Sequence, residues 1–282
     1  MLLSHERHDE LLRTALPAWL PWRPVIRRWT RFAAADSAAI ICASNYAAEP
    51  FEPWSARVRR IPLGVDLTVF RPAPARMRTA DSARPSVEPL RLVTVGRLAP
   101  EKRPDIAVEV VAELVRRGQP VHLDIVGDGP MLAGLRRAAA GLPITFHGHV
   151  ADREATAELV RTARVMLGPC PVETFGLALV EALASGIPIV VPDAGAAPEL
   201  VDDGPLGTLI GMAVALEPPA LADAVLRAAS TRLTTQRAAC RRYAEQFSWD
   251  ATAAAMLATH RDVSGTAFSR MDLARTAHLT RG

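Results

Sequence analysis

From Leu90 onward the chain alternates short apolar runs with longer stretches of helical period. Leu90–Val95, Val121–Val126, Ile144–His147, Val165–Leu167 and Ile187–Val191 are compact, largely apolar runs. Runs of this length, flanked by glycine or proline, read as strands buried on both faces. Between them lie helical patterns: from about Arg103 to Arg117, from Met131 onward, after Asp152 as a cap, and after Cys170. A short helix over Gly195–Val201 and three longer ones, Pro219–Ser230, Thr234–Gln246 and Asp250–His260, complete the pattern. Strand and helix alternating at this pace predict an α/β fold, a parallel sheet with helices on both faces. Ligands of such sheets sit at the carboxyl ends of the strands.

The first seventy residues are less regular. Residues 1–5 (MLLSH) have the character of a strand end, and Ala38–Ala43 and Val58–Leu63 read as further strands. An exposed sheet edge is expected near 1–5 and 38–43. Ser44 is placed to cap a short helix through Phe51. Residues 6–35 hold arginine and tryptophan between prolines and then take a helical pattern. They are read as a loop and helix packed on a neighbouring layer, although such a surface also suits a membrane interface. Residues 71–89, rich in Pro, Arg, Ser and Ala, read as a linker, and 261–282 as a flexible tail.

The 282 residues, 49% of them hydrophobic, allow two domains. No apolar run is long enough to span a membrane. The opening MLLSHERHDE is unlike a signal peptide, and Cys42, Cys170 and Cys240 lack metal-ligand spacing. A cytoplasmic chain with reduced thiols is therefore expected. A net charge of +3 argues against nucleic acid as a partner. Lys102 is the only lysine among 33 basic residues, so its place in a motif carries weight.

The chemistry concentrates at the strand ends. Cys170–Gly186 (CPVETFGLALVEALASG) carries Glu173 and Glu181 about two helical turns apart, roughly 12 Å along one face. Between them Thr174, Phe175, Gly176 and Leu177 offer backbone N–H groups at a helix start, a natural anion cradle. An amphipathic helix with solvated glutamates fits the same stretch. Other strand ends bring Gly96 and Arg97 with Lys102, Gly127-Asp128-Gly129, and Gly148-His149-Val150 with Asp152 to the same rim. Arg and Lys beside a helix N-terminus make a diphosphate site. Either alone reads as a surface charge, and the glycine turns also serve as plain tight connections.

GRLAPEK at 96–102, VGDGPM at 126–131, the E-x7-E segment at 173–181 and PLGVDLTVFRP at 62–72 together resemble the family-4 retaining glycosyltransferases of GT-B fold. The start LLSHERHD and the ending EQFSWDATAAAMLA resemble most the actinobacterial GDP-mannose-dependent α-mannosyltransferases acting on lipid-linked acceptors. The resemblance implies a complete C-terminal Rossmann-like domain, 90–246, that binds the nucleotide sugar. It also implies a remnant of the acceptor-side domain over 1–70, and a helix at 247–260 packing back toward that remnant. Arg97 and Lys102 would hold the donor diphosphate and Glu181 the ribose. Glu173 and the N–H groups of Phe175, Gly176 and Leu177 would face the hexose and phosphate, Val150 and Asp152 the base. His5 matches the histidine that the family sets against the donor sugar, and equally reads as a surface histidine.

The implied activity is transfer of a hexose, mannose from GDP-mannose, to a lipid or glycan acceptor of the cell envelope. It needs no cofactor and no metal. Peripheral contact with the inner face of the membrane is compatible with it. A first domain is largely missing relative to the family pattern. Two other readings therefore stay open: an inactive remnant that binds nucleotide sugar, and a nucleotide-sugar epimerase on the same scaffold.

Overall fold

The computed structural model describes residues 1–4, 7, 9–10, 22–73, 88–201, 203–204 and 208–279. The chain divides into two units, Met1–Gly64 with Trp249–Gly282, and Val65–Ser248. His5 and most of the expected linker lie outside the described residues.

In the first unit, strands β1 (Leu2–Ser4), β2 (Ile40–Cys42) and β3 (Val58–Arg60) form a parallel sheet in the order β1-β2-β3. Helix α1 (Trp22–Ala35) precedes β2, and Ala34 joins Ile40, Cys42, Ala47 and Phe51 in a small core. The expected edge at 38–43 is instead the central strand: Ile40, Ile41 and Cys42 are all buried between two neighbours. Only β1 is an edge of the pair expected, and Leu3 on it is exposed. Ser44 caps α2 (Asn45–Ala48), accepting from the Ala47 N–H at 3.0 Å. The chain then tightens to 3₁₀ helix over Glu49–Arg57, where Pro50 and Pro53 cannot donate to an α-helical ladder.

The second unit begins at Val65 rather than beyond 70. Phe70 is fully buried, and Arg241 donates to the Leu67 and Phe70 carbonyls at 3.1 and 2.9 Å. Those contacts hold 65–70 to the larger unit.

Strand β4 (Leu90–Val95) leads to α3 (Pro104–Arg116), β5 (Val121–Val126), α4 (Leu132–Ala138) and β6 (Ile144–Gly148). Then come α5 (Arg153–Thr162), β7 (Val165–Leu167), α6 (Leu177–Ala184) and β8 (Ile189–Pro192). A short antiparallel pair, β9 (Asp203–Gly204) and β10 (Thr208–Leu209), precedes β11 (Gly211–Val214), which adds to the sheet beside β8. No strand is expected there from the sequence, since Gly-Met-Ala-Val is short and small. The two closing helices of the unit are α7 (Pro218–Ser230) and α8 (Leu233–Ala244).

The six strands are all parallel in the order β11-β8-β7-β4-β5-β6. Leu92, Leu123, Ile125 and Leu167 on one face pack against Ile106, Val110 and Leu114 of α3 and Leu221 and Val225 of α7. The order reverses between β4 and β7, because β5 and β6 build to one side of β4 and β7, β8 and β11 to the other. A crevice opens at the carboxyl ends of strands at such a reversal.

Helix α9 (Trp249–Leu279) belongs with the first unit, where Thr252 donates its hydroxyl to the Pro62 carbonyl at 2.9 Å. Within the stretch 261–282, expected as a flexible tail, the helix continues as far as Leu279. It contains no proline and many strong helix formers, which outweighs its lack of amphipathic period.

Candidate functional site

The site is built from the loops that follow β4, β5, β6 and β7. These loops are tied by main-chain hydrogen bonds: Gly96 N–H to Val126 O at 3.0 Å, Gly127 N–H to Gly148 O at 2.8 Å, and Leu98 N–H to Asp128 O at 2.9 Å. The approach is close enough to dictate residue type. A Cβ on Gly127, whose φ is +139°, would lie 1.9 Å from the Gly96 carbonyl oxygen. The glycine at 127 is therefore a condition of the rim's shape and not just a flexible link.

Two adjoining cavities share Val95, Gly96 and Arg97 as a common wall. The smaller, about 200 Å³, is lined further by Thr94, Lys102, Glu173, Leu177 and Ala178. After β4 a single 3₁₀ turn, Pro100–Lys102, ends at Arg103 in the left-handed region (φ 49°). That conformation costs a non-glycine residue about 1–3 kcal/mol. Arg103 is held there by a forked pairing with Asp105, at 2.9–3.1 Å.

The turn presents Lys102 to the loop after β7, where its Nζ meets Glu173 Oε2 at 2.8 Å. Burial, the largest single influence, pulls the Lys102 ammonium's pKa down, but Glu173 beside it, together with Cys170 and Glu101, outweighs burial, and the net shift is upward. Arg97 pairs with Glu101 and its side chain is largely exposed.

The Glu173 loop is braced from both sides. The Ala196 N–H donates to the Glu173 carbonyl at 2.7 Å, and the Cys170 thiol lies 3.3 Å from the Glu101 carbonyl. Burial pushes that thiol up to about 11, so it stays protonated. Helix α6 starts at Leu177, after Gly176 in the left-handed region (φ 87°), and no side chain caps it. Its opening turn, Leu177 and Ala178, faces the smaller cavity. Phe175 turns inward, edge-on to Phe247 with centroids 5.8 Å apart, which anchors the loop to α8's end.

The larger cavity, about 620 Å³, is lined by Phe70, Val126, Gly127, Asp128, His149, Val150, Arg153, Thr156 and Glu181 besides the shared wall. Its volume suits a small-molecule ligand. Glu181 sits one and a half turns inside α6, with its side chain 11% exposed. Burial pushes its carboxyl up to about 7, against the opposing pull of Arg153, whose Nη2 is 3.2 Å from Oε1. The Arg153 guanidinium also lies over the Phe70 ring, 5.3 Å from its centroid.

The structure therefore gathers Gly96, Arg97, Lys102, Glu173 and Leu177 about one cavity, and Gly127, Val150 and Glu181 about the next. Asp152 is turned elsewhere: it caps α5, accepting from the Glu154 N–H at 2.9 Å. His149 was expected at this rim without a role, and Phe70, Arg153 and Thr156 were not expected in the site. The signal for Arg153 was its place on the first turn after the Asp152 cap, facing the same rim. Among the described residues no cluster of His, Cys, Asp and Glu is arranged to hold a metal ion, and no helix is long and apolar enough to cross a membrane.

Known structures share this architecture. Sucrose-phosphate synthase from Thermosynechococcus elongatus superposes with a TM-score of 0.73 at 24% identity, over 94% of this chain and 67% of its own. Anabaena HepE, solved with UDP and glucose, superposes at 0.69 and 19%, over 95% and 71%. At these identities the likeness shows the fold, the GT-B architecture. In sequence, the chain is 38% identical over 266 residues to a GDP-mannose-dependent alpha-(1-6)-phosphatidylinositol dimannoside mannosyltransferase of Mycobacterium tuberculosis. That match takes in 92% of this chain and 66% of the relative. A D-inositol 3-phosphate glycosyltransferase of Gordonia bronchialis is 33% identical over 231 residues, 77% of this chain and 48% of its own. The chain thus spans from about half to just under two thirds of the length of these relatives. The family model for glycosyl transferases group 1 matches residues 89–231, the segment that carries most of both cavities, and the chain belongs to that family.

Proposed function

We propose that this chain binds a nucleotide sugar across the two cavities and acts in a retaining glycosyltransferase. The hexose is mannose, delivered from GDP-mannose to a lipid-linked or glycan acceptor. The observation that carries the reading is the continuity of the rim. A buried acid, Glu181, and a cation–acid pair, Lys102 and Glu173, stand on either side of Gly96 and Arg97. A nucleoside fits the larger cavity, a diphosphate the wall between, and a hexose the smaller one. The mannosyl donor rests on the similarity to the GDP-mannose-dependent mannosyltransferase.

In this reading Arg97 and Lys102 bind the diphosphate and neutralise the charge that develops on it as the glycosidic bond breaks. The Leu177 end of α6, with the backbone of Phe175 and Gly176, adds N–H groups and the positive end of a helix dipole. Lys102 and this helix end stabilise the leaving group electrostatically, the task a metal performs in other transferases. Glu173 faces the hexose hydroxyls. The sugar passes through an oxocarbenium-like state, the acceptor hydroxyl attacks from the face the diphosphate leaves, and a phosphate oxygen takes its proton. In this reading Val150, which lines the larger cavity, meets the base, while Asp152 is engaged as the helix cap. By the resemblance, His5 is a further candidate to meet the donor sugar. Nucleotide sugar and a lipid or glycan acceptor are the partners, and the cytoplasm, with contact at the inner face of the membrane, is the location.

Calorimetry of the chain with GDP-mannose, GDP and UDP tests the donor. Tighter binding of GDP-mannose and GDP than of UDP is expected, and failure of all three to bind overturns the assignment. A second reading is a chain that binds nucleotide sugar without transferring it. GDP-mannose binding without transfer or donor hydrolysis would select it.

A further inference from the structure

The larger cavity holds one feature that the donor reading leaves without a task. Arg153 lies on the first turn of α5, reaches Glu181 on α6, and stacks over Phe70 from the segment that opens the second unit. Three elements far apart in sequence thus meet at a single guanidinium. A planar guanidinium can lie on a ring and still donate in its plane.

The partner it reaches needs such help. Glu181 is buried on α6, and an unaided buried carboxyl takes up a proton. Once protonated it loses acceptor capacity. Once ionised it accepts from two donors at once, the pattern that a vicinal diol presents. The other charged groups lining this cavity are Arg97, Asp128 and His149, from the loops after β4, β5 and β6. Helix α8 packs against α6, and its Arg241 donates to the Ala184 carbonyl rather than to the carboxylate. Burial has pushed the Glu181 carboxyl up to about 7, and Arg153 is the charge that draws it back.

Resting on the nucleotide-sugar reading, we infer that Arg153 is a positioning residue for the donor nucleoside: braced on Phe70, it holds Glu181 as a charged, oriented acceptor for the two ribose hydroxyls. Arg153 acts through Glu181 and need not touch the reacting atoms. Nucleotide affinity then rises with pH as Glu181 ionises, and the rise belongs to the ribose and not to the base or diphosphate.

The experiment has a ligand-free arm and a ligand arm. In the first, the full chain is labelled with ¹³C at the glutamate carboxyls. The Glu181 signal is assigned by its loss in Glu181→Gln and titrated from about pH 5 to 9, a range chosen to bracket a raised carboxyl. The wild-type midpoint is expected near 7. Arg153→Met should move it up by about one unit or more, and Arg153→Lys, which keeps the charge, should restore it. In the second arm, calorimetry compares GDP with 2′,3′-dideoxy-GDP. GDP should bind roughly tenfold more tightly at about pH 8 than at pH 6. The dideoxy compound should show no such change, and Arg153→Met should lose the response for GDP.

A Glu181 midpoint that stays put in Arg153→Met overturns the inference. So does an equal pH response of the two nucleotides. A shifted midpoint with no nucleotide bound by the wild type overturns the nucleotide-sugar reading instead, and the role with it, while the Arg153–Glu181 coupling stands.

Discussion

Glu173→Gln should tighten the binding of free GDP, although it removes an acid from the donor site. In the unliganded chain Lys102 Nζ is already committed to Glu173 Oε2 at 2.8 Å. A diphosphate must compete for that ammonium. Coulomb's law at 2.8 Å and an effective dielectric of about 20 gives about 6 kcal/mol. The Lys102 side chain is 35% exposed, however, and for pairs that water reaches, screening and side-chain entropy leave about 1 kcal/mol. Glutamine keeps the size and drops the charge. Freeing Lys102 should therefore strengthen GDP binding by roughly fivefold. Lys102→Ala removes the ammonium itself and should cost the ~1.5–3 kcal/mol of a charged hydrogen bond, roughly 10- to 150-fold in Kd. GDP-mannose behaves differently, because Glu173 also serves the hexose. Its advantage over GDP should shrink in Glu173→Gln. Calorimetry of the wild type, the two single variants and the double variant closes a thermodynamic cycle. In the Lys102→Ala background, Glu173→Gln should no longer change GDP affinity. If Glu173→Gln weakens GDP binding, or if its effect persists without Lys102, the competition argument is wrong.

The Glu181 carboxyl, pushed up to about 7 by burial, has a folded pKa above its unfolded value of about 4.3. Its stabilising contribution is thus complete below the unfolded value and is lost as pH rises through the folded one. That loss is on the order of 3 kcal/mol. Thermal denaturation at about pH 5.5 and 8 should show the unliganded chain less stable at the higher pH, and Glu181→Gln should flatten the difference; an unchanged slope in the variant would sink the assignment. Gly127→Ala places a Cβ 1.9 Å from the Gly96 carbonyl oxygen and should lower the melting temperature by several degrees, for a cost of about 2–3 kcal/mol. An unaltered melting curve would mean that the β4 and β5 loops are not so close. Arg241→Ala removes donors to the Leu67, Phe70 and Ala184 carbonyls and should speed amide exchange over 65–70. Exchange at the wild-type rate would show that Phe70 burial alone holds the segment.

The sheet was legible because its central strands are buried on both faces. Continuous apolar runs such as Val165–Leu167 and Ile189–Val191 admit few other assignments, and parallel pairing follows from the helices between them. The rim was legible for the same reason, since the residues after each strand must share an edge. What each rim residue touches was not. Lys102 and Glu173 are 71 residues apart, and nothing in either local pattern says that they neutralise each other. Asp152 shows the limit most clearly. Its spacing marks it at once as a helix cap and as an acid at the ligand edge, and one carboxylate oxygen is spent on the Glu154 N–H. A cap fixes the direction of the turn that follows, and here that turn carries Arg153 to Glu181 and Phe70. Phe70 in turn joins the site through a segment, 65–70, that its own burial and the Arg241 hydrogen bonds tie to the larger unit. The local rule placed the acid correctly, but the charge that matters to the cavity is its neighbour's. The long-range contacts that decide this, α5 to α6 and 65–70 to α8, leave no periodic trace in the sequence.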